Sequence, residues 1–207
     1  MADPDRPVFF YDLGSPYAYL AAERVNALFA ETCGEPPEWQ PILLGALFKR
    51  FGRDSWANGP GRKEGLQEIE RRASAYGLPR IDWPHPFPAN TLVAMRAATY
   101  AKETGRAVAF SLAAFRQAFA AGRDLTEPDN VLLAAAASEL HPRAMLAAVG
   151  RDSVKRALHE ATDRAGDLGV HGVPTLLVGD EVFWGDDRLE EAAAAAADRR
   201  SGDHALS

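Results

Sequence analysis

The strand patterns of this sequence are confined to its two ends, and this distribution restricts the fold more than any other feature. Residues 8–11 form a short β-branched and aromatic run, Gly14-Ser15-Pro16 interrupts it, and apolar residues then recur at helical spacing as far as Leu28. Residues 38–44 indicate a second strand. A strand–helix–strand unit has a right-handed crossover and parallel strands, so the sequence predicts a sheet with helices packed on it.

The middle of the chain predicts one helix after another. Glycines that follow apolar periodic stretches mark helix ends at Gly77, Gly105 and Gly122, and Pro128 marks the start of a later helix. Between two of these helices, residues 83–88 carry prolines at alternate positions, which favour an extended loop. We therefore expect helices and loops, and no strands, in this part of the chain.

Strands return near the C-terminal end. Residues 175–178 and 182–184 flank a Gly-Asp turn signal, as in a β-hairpin, and a last helix begins near Asp187. The order β-α-β, helices, α-β-β-α predicts an α/β protein with a thioredoxin-like fold and an inserted all-helical domain. We expect residues 1–50 and 169–207 to form the thioredoxin-like domain and residues 51–168 the inserted helical domain.

Charge and composition exclude several classes of partner. The net charge is −6, whereas nucleic acids and anionic membranes attract cationic surfaces. The first five residues, Met-Ala-Asp-Pro-Asp, are acidic where a secretory signal is basic, and no apolar stretch follows them. We therefore expect a cytoplasmic protein without a nucleic-acid or membrane partner.

The cysteine content restricts the chemistry. Cys33 is the only cysteine, so the chain has no internal disulfide and no Cys-x-x-Cys redox pair, and Cys33 itself is expected to be a packing residue. His141 and His171 have no carboxylate or cysteine at ligand spacing, so no metal is predicted. Thiol chemistry by this protein would need a thiol from another molecule.

Two loop motifs are candidates for binding. Ser15 leaves a strand and caps a helix that begins with Pro16, which places its hydroxyl among unpaired N–H groups at the positive end of the helix dipole. A cis Val173–Pro174 bond would leave the backbone of Val173 free to pair with an extended peptide. Taken singly, these motifs are also typical of a simple helix cap and of a proline that leads into a strand. Their combination is more specific.

Four blocks that span most of the chain carry a resemblance to a known family. Residues 10–20 are FYDLGSPYAYL, 44–49 are LGALFK, 87–92 are FPANTL, and GVPT at 172–175 is followed by WGDDRL at 184–189. This combination resembles 2-hydroxychromene-2-carboxylate isomerases and, less closely, kappa-class glutathione transferases, a branch of the DsbA-like thioredoxin-fold proteins. The resemblance implies glutathione as cofactor and a homodimer.

The resemblance also implies roles for individual residues. Ser15 would hydrogen-bond the sulfur of glutathione in place of the reactive cysteine of other DsbA-like proteins, and Val173-Pro174 would pair with the cysteinyl backbone. Asp186 and Asp187 suit the ammonium of the γ-glutamyl group, and they equally suit capping of the last helix. Lys49 would meet a carboxylate of glutathione or of the substrate, unless it is a solvated surface lysine.

Weaker candidates complete the predicted site. Asn58 is a further cofactor-binding candidate, and an aromatic substrate pocket between the two domains would be lined by Tyr17, His85, Phe87 and Trp184. Core packing is the alternative for each of these aromatic residues.

The predicted function is a glutathione-dependent cis–trans isomerase of an aromatic carboxylate from aromatic degradation, of the 2-hydroxychromene-2-carboxylate type. A glutathione transferase or peroxidase and a non-catalytic glutathione-binding or peptide-binding module remain alternatives. The sequence leaves the physiological substrate open.

Overall fold

The structure is a computed structural model that describes residues 6–204, with side chains as far as Ser201. Residues 1–5, on which the expectation of a cytoplasmic location partly rests, and the last three residues of the predicted thioredoxin-like domain lie outside the described residues.

Strands from the N-terminal and C-terminal parts of the chain form one mixed sheet of four strands. The strands are β1 (Val8–Tyr11), β2 (Glu38–Pro41), β3 (Thr175–Val178) and β4 (Glu181–Trp184). Their spatial order is β2-β1-β3-β4, with β1 parallel to β2 and antiparallel to β3. Phe9 pairs with Trp39 on one side and with Leu176 on the other. The βαβ unit and the hairpin therefore form a single sheet, as predicted.

Within residues 6–204, one helix connects β1 to β2, seven helices lie between β2 and β3, and one helix follows β4. They are α1 (Pro16–Cys33), α2 (Leu44–Arg50), α3 (Arg62–Ala75), α4 (Leu92–Glu103), α5 (Ala107–Phe119), α6 (Pro128–Ala137), α7 (Pro142–Val149), α8 (Asp152–Asp167) and α9 (Leu189–His204). Short 3₁₀ turns cover Trp56–Asn58 and Asp186–Arg188. None of the helices within residues 6–204 has the length and apolar character needed to cross a bilayer.

The second strand is shorter than the sequence suggested. It ends at Pro41, and Leu44, which was expected to end the strand, is the first residue of α2. The Leu44 N–H donates to the carboxylate of Asp12 at 2.8 Å, which satisfies an N–H at the helix start. A polar contact from another segment thus turns the chain out of the sheet.

Aromatic residues bury the sheet against the helices. The rings of Phe9 and Tyr11 pack on Trp39, with centroids 5.0 and 5.3 Å apart, and Tyr11 also meets Phe115 of α5. The Tyr11 hydroxyl shares a 2.6 Å hydrogen bond with Ser111, so this buried polar group has a partner. Helices α1, α4, α8 and α9 also contact the strands or one another, which gives one continuous core. The predicted thioredoxin-like fold is confirmed.

Candidate functional site

A cavity of about 890 Å³ opens beside the turn between β1 and α1. Its volume lies in the range of about 300–1,000 Å³ that is typical of small-molecule sites. Ten of the predicted site residues line it: Ser15, Tyr17, Lys49, Asn58, Phe87, Val173, Pro174, Trp184, Asp186 and Asp187. His85 is not among the lining residues and is exposed on its loop.

Ser15 is the N-cap of α1, as its position before Pro16 indicated. Its Oγ accepts a hydrogen bond from the Ala18 N–H at 3.2 Å, and only 4% of the residue is exposed. The hydroxyl proton is directed at the Val173 carbonyl oxygen 3.5 Å away, which is long for an O–H···O hydrogen bond. The hydroxyl therefore keeps a proton that it can donate to a group in the cavity.

The loop before β3 presents backbone groups beside Ser15. The Val173–Pro174 peptide bond is cis. Among the hydrogen bonds of residues 6–204, none uses the Val173 N–H, and the Pro174 carbonyl accepts from the Gly185 N–H at 3.0 Å. Because a buried N–H without an acceptor is uncommon, this group is suited to a peptide-like ligand.

The two adjacent aspartates have different surroundings. Asp186 is buried, with its carboxylate 2.8 Å from the guanidinium of Arg72 and 3.0 Å from the hydroxyl of Tyr76. Burial raises the pKa of Asp186, and the positive charge of Arg72 opposes that shift. Asp187 is exposed and lies 3.7 Å from Arg72. Asp186 is thus engaged within the protein, whereas Asp187 has more room for a ligand.

The cavity also has an aromatic wall, formed by Tyr17, Trp56 and Phe87. Phe87 is 6.0 Å from Trp56 and Tyr17 is 6.1 Å from the same ring, measured between centroids. Trp56 packs directly on Gly65 of α3, where a Cβ atom would come within 2.3 Å of the indole. Burial also raises the pKa of the Tyr17 hydroxyl. Such a wall suits a planar aromatic ligand.

Four residues of the site were missed from the sequence: Asp12, Arg53, Trp56 and Arg72. Asp12 lies inside the motif that carries the family resemblance, but no spacing rule gave it a role. Arg72 stands four residues after Glu68 on a polar helix and pairs with it, a local contact that gives no sign of a role in the cavity. Trp56 had one available signal, a glycine nine residues later that is unusual inside a helix.

Asp12 joins three segments that line the cavity. Its carboxylate accepts hydrogen bonds from the Gly14 N–H at 2.9 Å, the Leu44 N–H at 2.8 Å and the Thr91 hydroxyl at 2.9 Å. Its backbone carbonyl accepts from the Ser15 N–H at 3.0 Å. Burial raises the pKa of the Asp12 carboxyl, and these hydrogen bonds oppose that shift. Asp12 therefore fixes the turn that carries Ser15.

We expect Asp12→Asn to lower the free energy of unfolding by about 1–2 kcal/mol, because the amide turns an N–H₂ group toward at least one buried donor. Urea unfolding measures the loss. Thr91→Val is the matched control, since it removes one donor and leaves the carboxylate, and it should cost less. Equal stability of Asp12→Asn and the wild-type protein would contradict this role of Asp12.

No group of three or more His, Cys, Asp or Glu side chains is placed to hold a metal ion within the part of the chain whose side chains are described, residues 6–201. The carboxylates of the cavity are instead engaged by Arg72, Tyr76, hydroxyls and backbone N–H groups.

Comparison with known proteins identifies the family of this chain. The chain belongs to the family of DSBA-like thioredoxin domains, whose model matches residues 8–197. A solved structure of a 2-hydroxychromene-2-carboxylate isomerase has the same fold, with a TM-score of 0.83 at 24% identity over 97% of this chain and 98% of that one.

Similar sequences carry the same enzyme name. The 2-hydroxychromene-2-carboxylate isomerase of Sphingobium xenophagum is 29% identical over 185 residues, which cover 88% of this chain and 93% of that protein. The enzyme of that name from Pseudomonas putida is 28% identical over 194 residues, or 87% and 89% of the two chains. The DsbA-like fold and the resemblance to these isomerases are confirmed.

Proposed function

We propose that this protein is a glutathione-dependent cis–trans isomerase of an aromatic carboxylate of the 2-hydroxychromene-2-carboxylate type. The observation that carries the proposal is the placement of Ser15. Its hydroxyl caps α1, keeps a proton to donate, and lies on the wall of the cavity beside Val173, whose backbone N–H has no hydrogen-bond partner among residues 6–204. The names of the relatives support the isomerase class.

The lining residues fit glutathione by their chemistry. The Val173 N–H offers a partner for the peptide backbone, Asp187 an acid for the γ-glutamyl ammonium, and Lys49 a cation for a carboxylate. Bound glutathione would supply a thiolate that adds reversibly to an activated double bond, allows rotation about the resulting single bond and leaves unchanged. No oxidant or reductant is needed, because the same C–S bond forms and breaks.

Ser15 and the N-terminus of α1 would favour the ionised sulfur. A free thiol with a pKa of about 8.5 is only a few per cent ionised at neutral pH. A hydroxyl that donates to the thiolate lowers that pKa, as does the positive end of the helix dipole. Ser15 would then activate the sulfur without forming a covalent bond.

The aromatic wall would orient the second ligand. Trp56, Phe87 and Tyr17 offer ring faces against which an aromatic acid can stack, and holding both reactants in one cavity is itself a source of rate. The cytoplasmic location and the homodimer stay predictions.

The first test is to assay isomerisation of 2-hydroxychromene-2-carboxylate with and without glutathione, and to titrate glutathione by calorimetry. We expect saturable binding, a glutathione-dependent rate, and no loss of free thiol at the end of the reaction. Thiol consumption in proportion to product would favour the transferase or peroxidase. Binding without turnover would leave a glutathione-binding module, and absence of glutathione binding would contradict both enzyme functions and leave a peptide-binding module.

A further inference from the structure

Two cations on the cavity wall have no acidic partner among the side chains that the structure describes. Neither Lys49 nor Arg53 forms an ion pair with a carboxylate among residues 6–201. The four acidic side chains of the wall all have other contacts: Asp12 with Gly14, Leu44 and Thr91; Asp54 with Ser55 and Asn58; Asp186 with Arg72 and Tyr76; and Asp187 with Arg72. Lys49 and Arg53 are therefore available to pair with an anionic group of a ligand.

Arg53 is held in place without using up its hydrogen-bonding capacity. Its guanidinium carbon lies 4.6 Å from the centre of the Trp184 ring, within the range of a cation–π interaction. One Nη atom donates to the His171 carbonyl at 3.4 Å, which is a long contact, and the backbone N–H of Arg53 is fixed by Phe48. Since a guanidinium has five N–H donors in a fixed fork, most of them remain available for a ligand.

Trp184 in turn is fixed beside the loop that precedes β3. Its indole rests on Gly172, where a Cβ atom would come within 2.9 Å of Nε1, and 46% of the residue is exposed. Gly172 directly precedes Val173, whose backbone N–H is free. The Trp184 ring thus connects the Arg53 guanidinium to the place where a peptide-like ligand would pair.

We propose that Arg53, held against Trp184, is a specificity-determining residue that binds a carboxylate of the ligand in this cavity. This inference rests on the proposed function and deepens it. A planar guanidinium with free N–H groups binds a carboxylate through two parallel hydrogen bonds, which a point charge such as Lys49 cannot match in direction. The carboxylate belongs either to the glycyl end of glutathione or to the aromatic substrate.

The test compares binding of three probes to the full-length protein by calorimetry. The first two are glutathione and its glycyl monoethyl ester, in which an ethyl ester replaces the negatively charged glycyl carboxylate. The third is 2-hydroxychromene-2-carboxylate, added to protein saturated with S-methylglutathione, which has no free thiol. The variants are Arg53→Gln and, as the matched control, Arg50→Gln. Arg50 is a nearby exposed arginine that pairs with Asp167 and does not line the cavity.

For the glycyl source, we expect Arg53→Gln to weaken glutathione binding about tenfold, as for the loss of a charged hydrogen bond near solvent. The ester should bind the wild-type protein about tenfold less tightly than glutathione does, and Arg53→Gln should weaken it little further. For the substrate source, glutathione and its ester should bind both proteins equally, and the third probe should bind Arg53→Gln about tenfold less tightly.

A third outcome is that Arg53→Gln binds all three probes as tightly as the wild-type protein and Arg50→Gln do. That result would overturn the role of Arg53 and leave the proposed function intact. If the wild-type protein does not bind the third probe, the substrate is excluded as the source of the carboxylate. Glutathione and its ester then decide whether Arg53 binds the glycyl carboxylate. A wild-type protein that binds no glutathione would remove the proposed function itself, and the inference with it.

Discussion

Ser15→Ala is expected to lower kcat/KM for glutathione-dependent isomerisation about 100-fold at neutral pH. Removing one hydrogen-bond donor from a developing or resting anion in a protected site costs roughly 10²–10³-fold in rate. The buried Ser15 hydroxyl is such a donor, because its oxygen is engaged by Ala18 while its proton has only a long contact. Steady-state kinetics at saturating glutathione measures the loss.

A second measurement separates activation of the thiol from binding. We expect the pH at which half of the bound glutathione is ionised to move upward in Ser15→Ala, as followed by ultraviolet absorbance of the thiolate. The donor stabilises only the ionised sulfur, so its loss raises the pKa of the bound thiol. Unchanged ionisation together with low activity would assign Ser15 a structural role only.

Glycine at the same position controls for helix capping. Alanine at an N-cap costs about 1 kcal/mol of stability, whereas glycine costs only a few tenths. Ser15→Gly should therefore unfold nearly like the wild-type protein and still lose activity to the same extent as Ser15→Ala. Activity of either variant within about threefold of the wild-type protein would contradict the proposed role.

The parts of this structure that could be predicted from the sequence are those encoded by neighbouring residues. The strand patterns, the cap at Ser15 and the proline before β3 are local signals, and they located the part of the site where Ser15 and Val173 meet, although these residues are 158 positions apart. A resemblance over four blocks then placed these local signals in one fold. At Ser15 and Pro174, the local structure that the sequence indicates is also the one that the fold requires.

The residues that could not be predicted act through distant partners. Arg72 meets Asp186 across 114 positions, and Asp12 meets Thr91 across 79, so neither pair leaves a trace in local spacing. His85 was predicted to line the substrate pocket, but it does not line the cavity, and its aromatic neighbours explain why. Its aromatic neighbours Trp83 and Phe87 pack together, 4.9 Å apart, while the His85 side chain between them is exposed.

The Arg72–Asp186 ion pair is the second place where a large effect is expected. Arg72→Gln should lower the free energy of unfolding at neutral pH by about 2–3 kcal/mol. Breaking a buried ion pair from one side costs about 3–5 kcal/mol, because the other charge stays buried without a counter-charge. Asp186 is only 1% exposed, but Arg72 is 23% exposed, which reduces the expected loss. Urea unfolding gives the value.

The loss should depend on pH in a defined direction. Burial already raises the pKa of Asp186, and removal of the Arg72 charge raises it further above the unfolded value of about 3.9. Between these two pKa values the folded state binds more protons than the unfolded state, so stability falls as the pH rises. Arg72→Gln should therefore lose less stability at pH ~5 than at pH ~8, relative to the wild-type protein.

Two variants isolate this ion pair from general charge effects. Arg71→Gln removes the adjacent, largely exposed arginine, which contacts Glu68 but not Asp186, and should leave stability nearly unchanged at both pH values. The double variant Arg72→Gln/Asp186→Asn removes the buried charge together with its partner and should lose the added pH dependence. If Arg72→Gln is as stable as Arg71→Gln at pH ~8, then water or Tyr76 compensates the Asp186 charge and the ion pair does not hold this wall of the cavity.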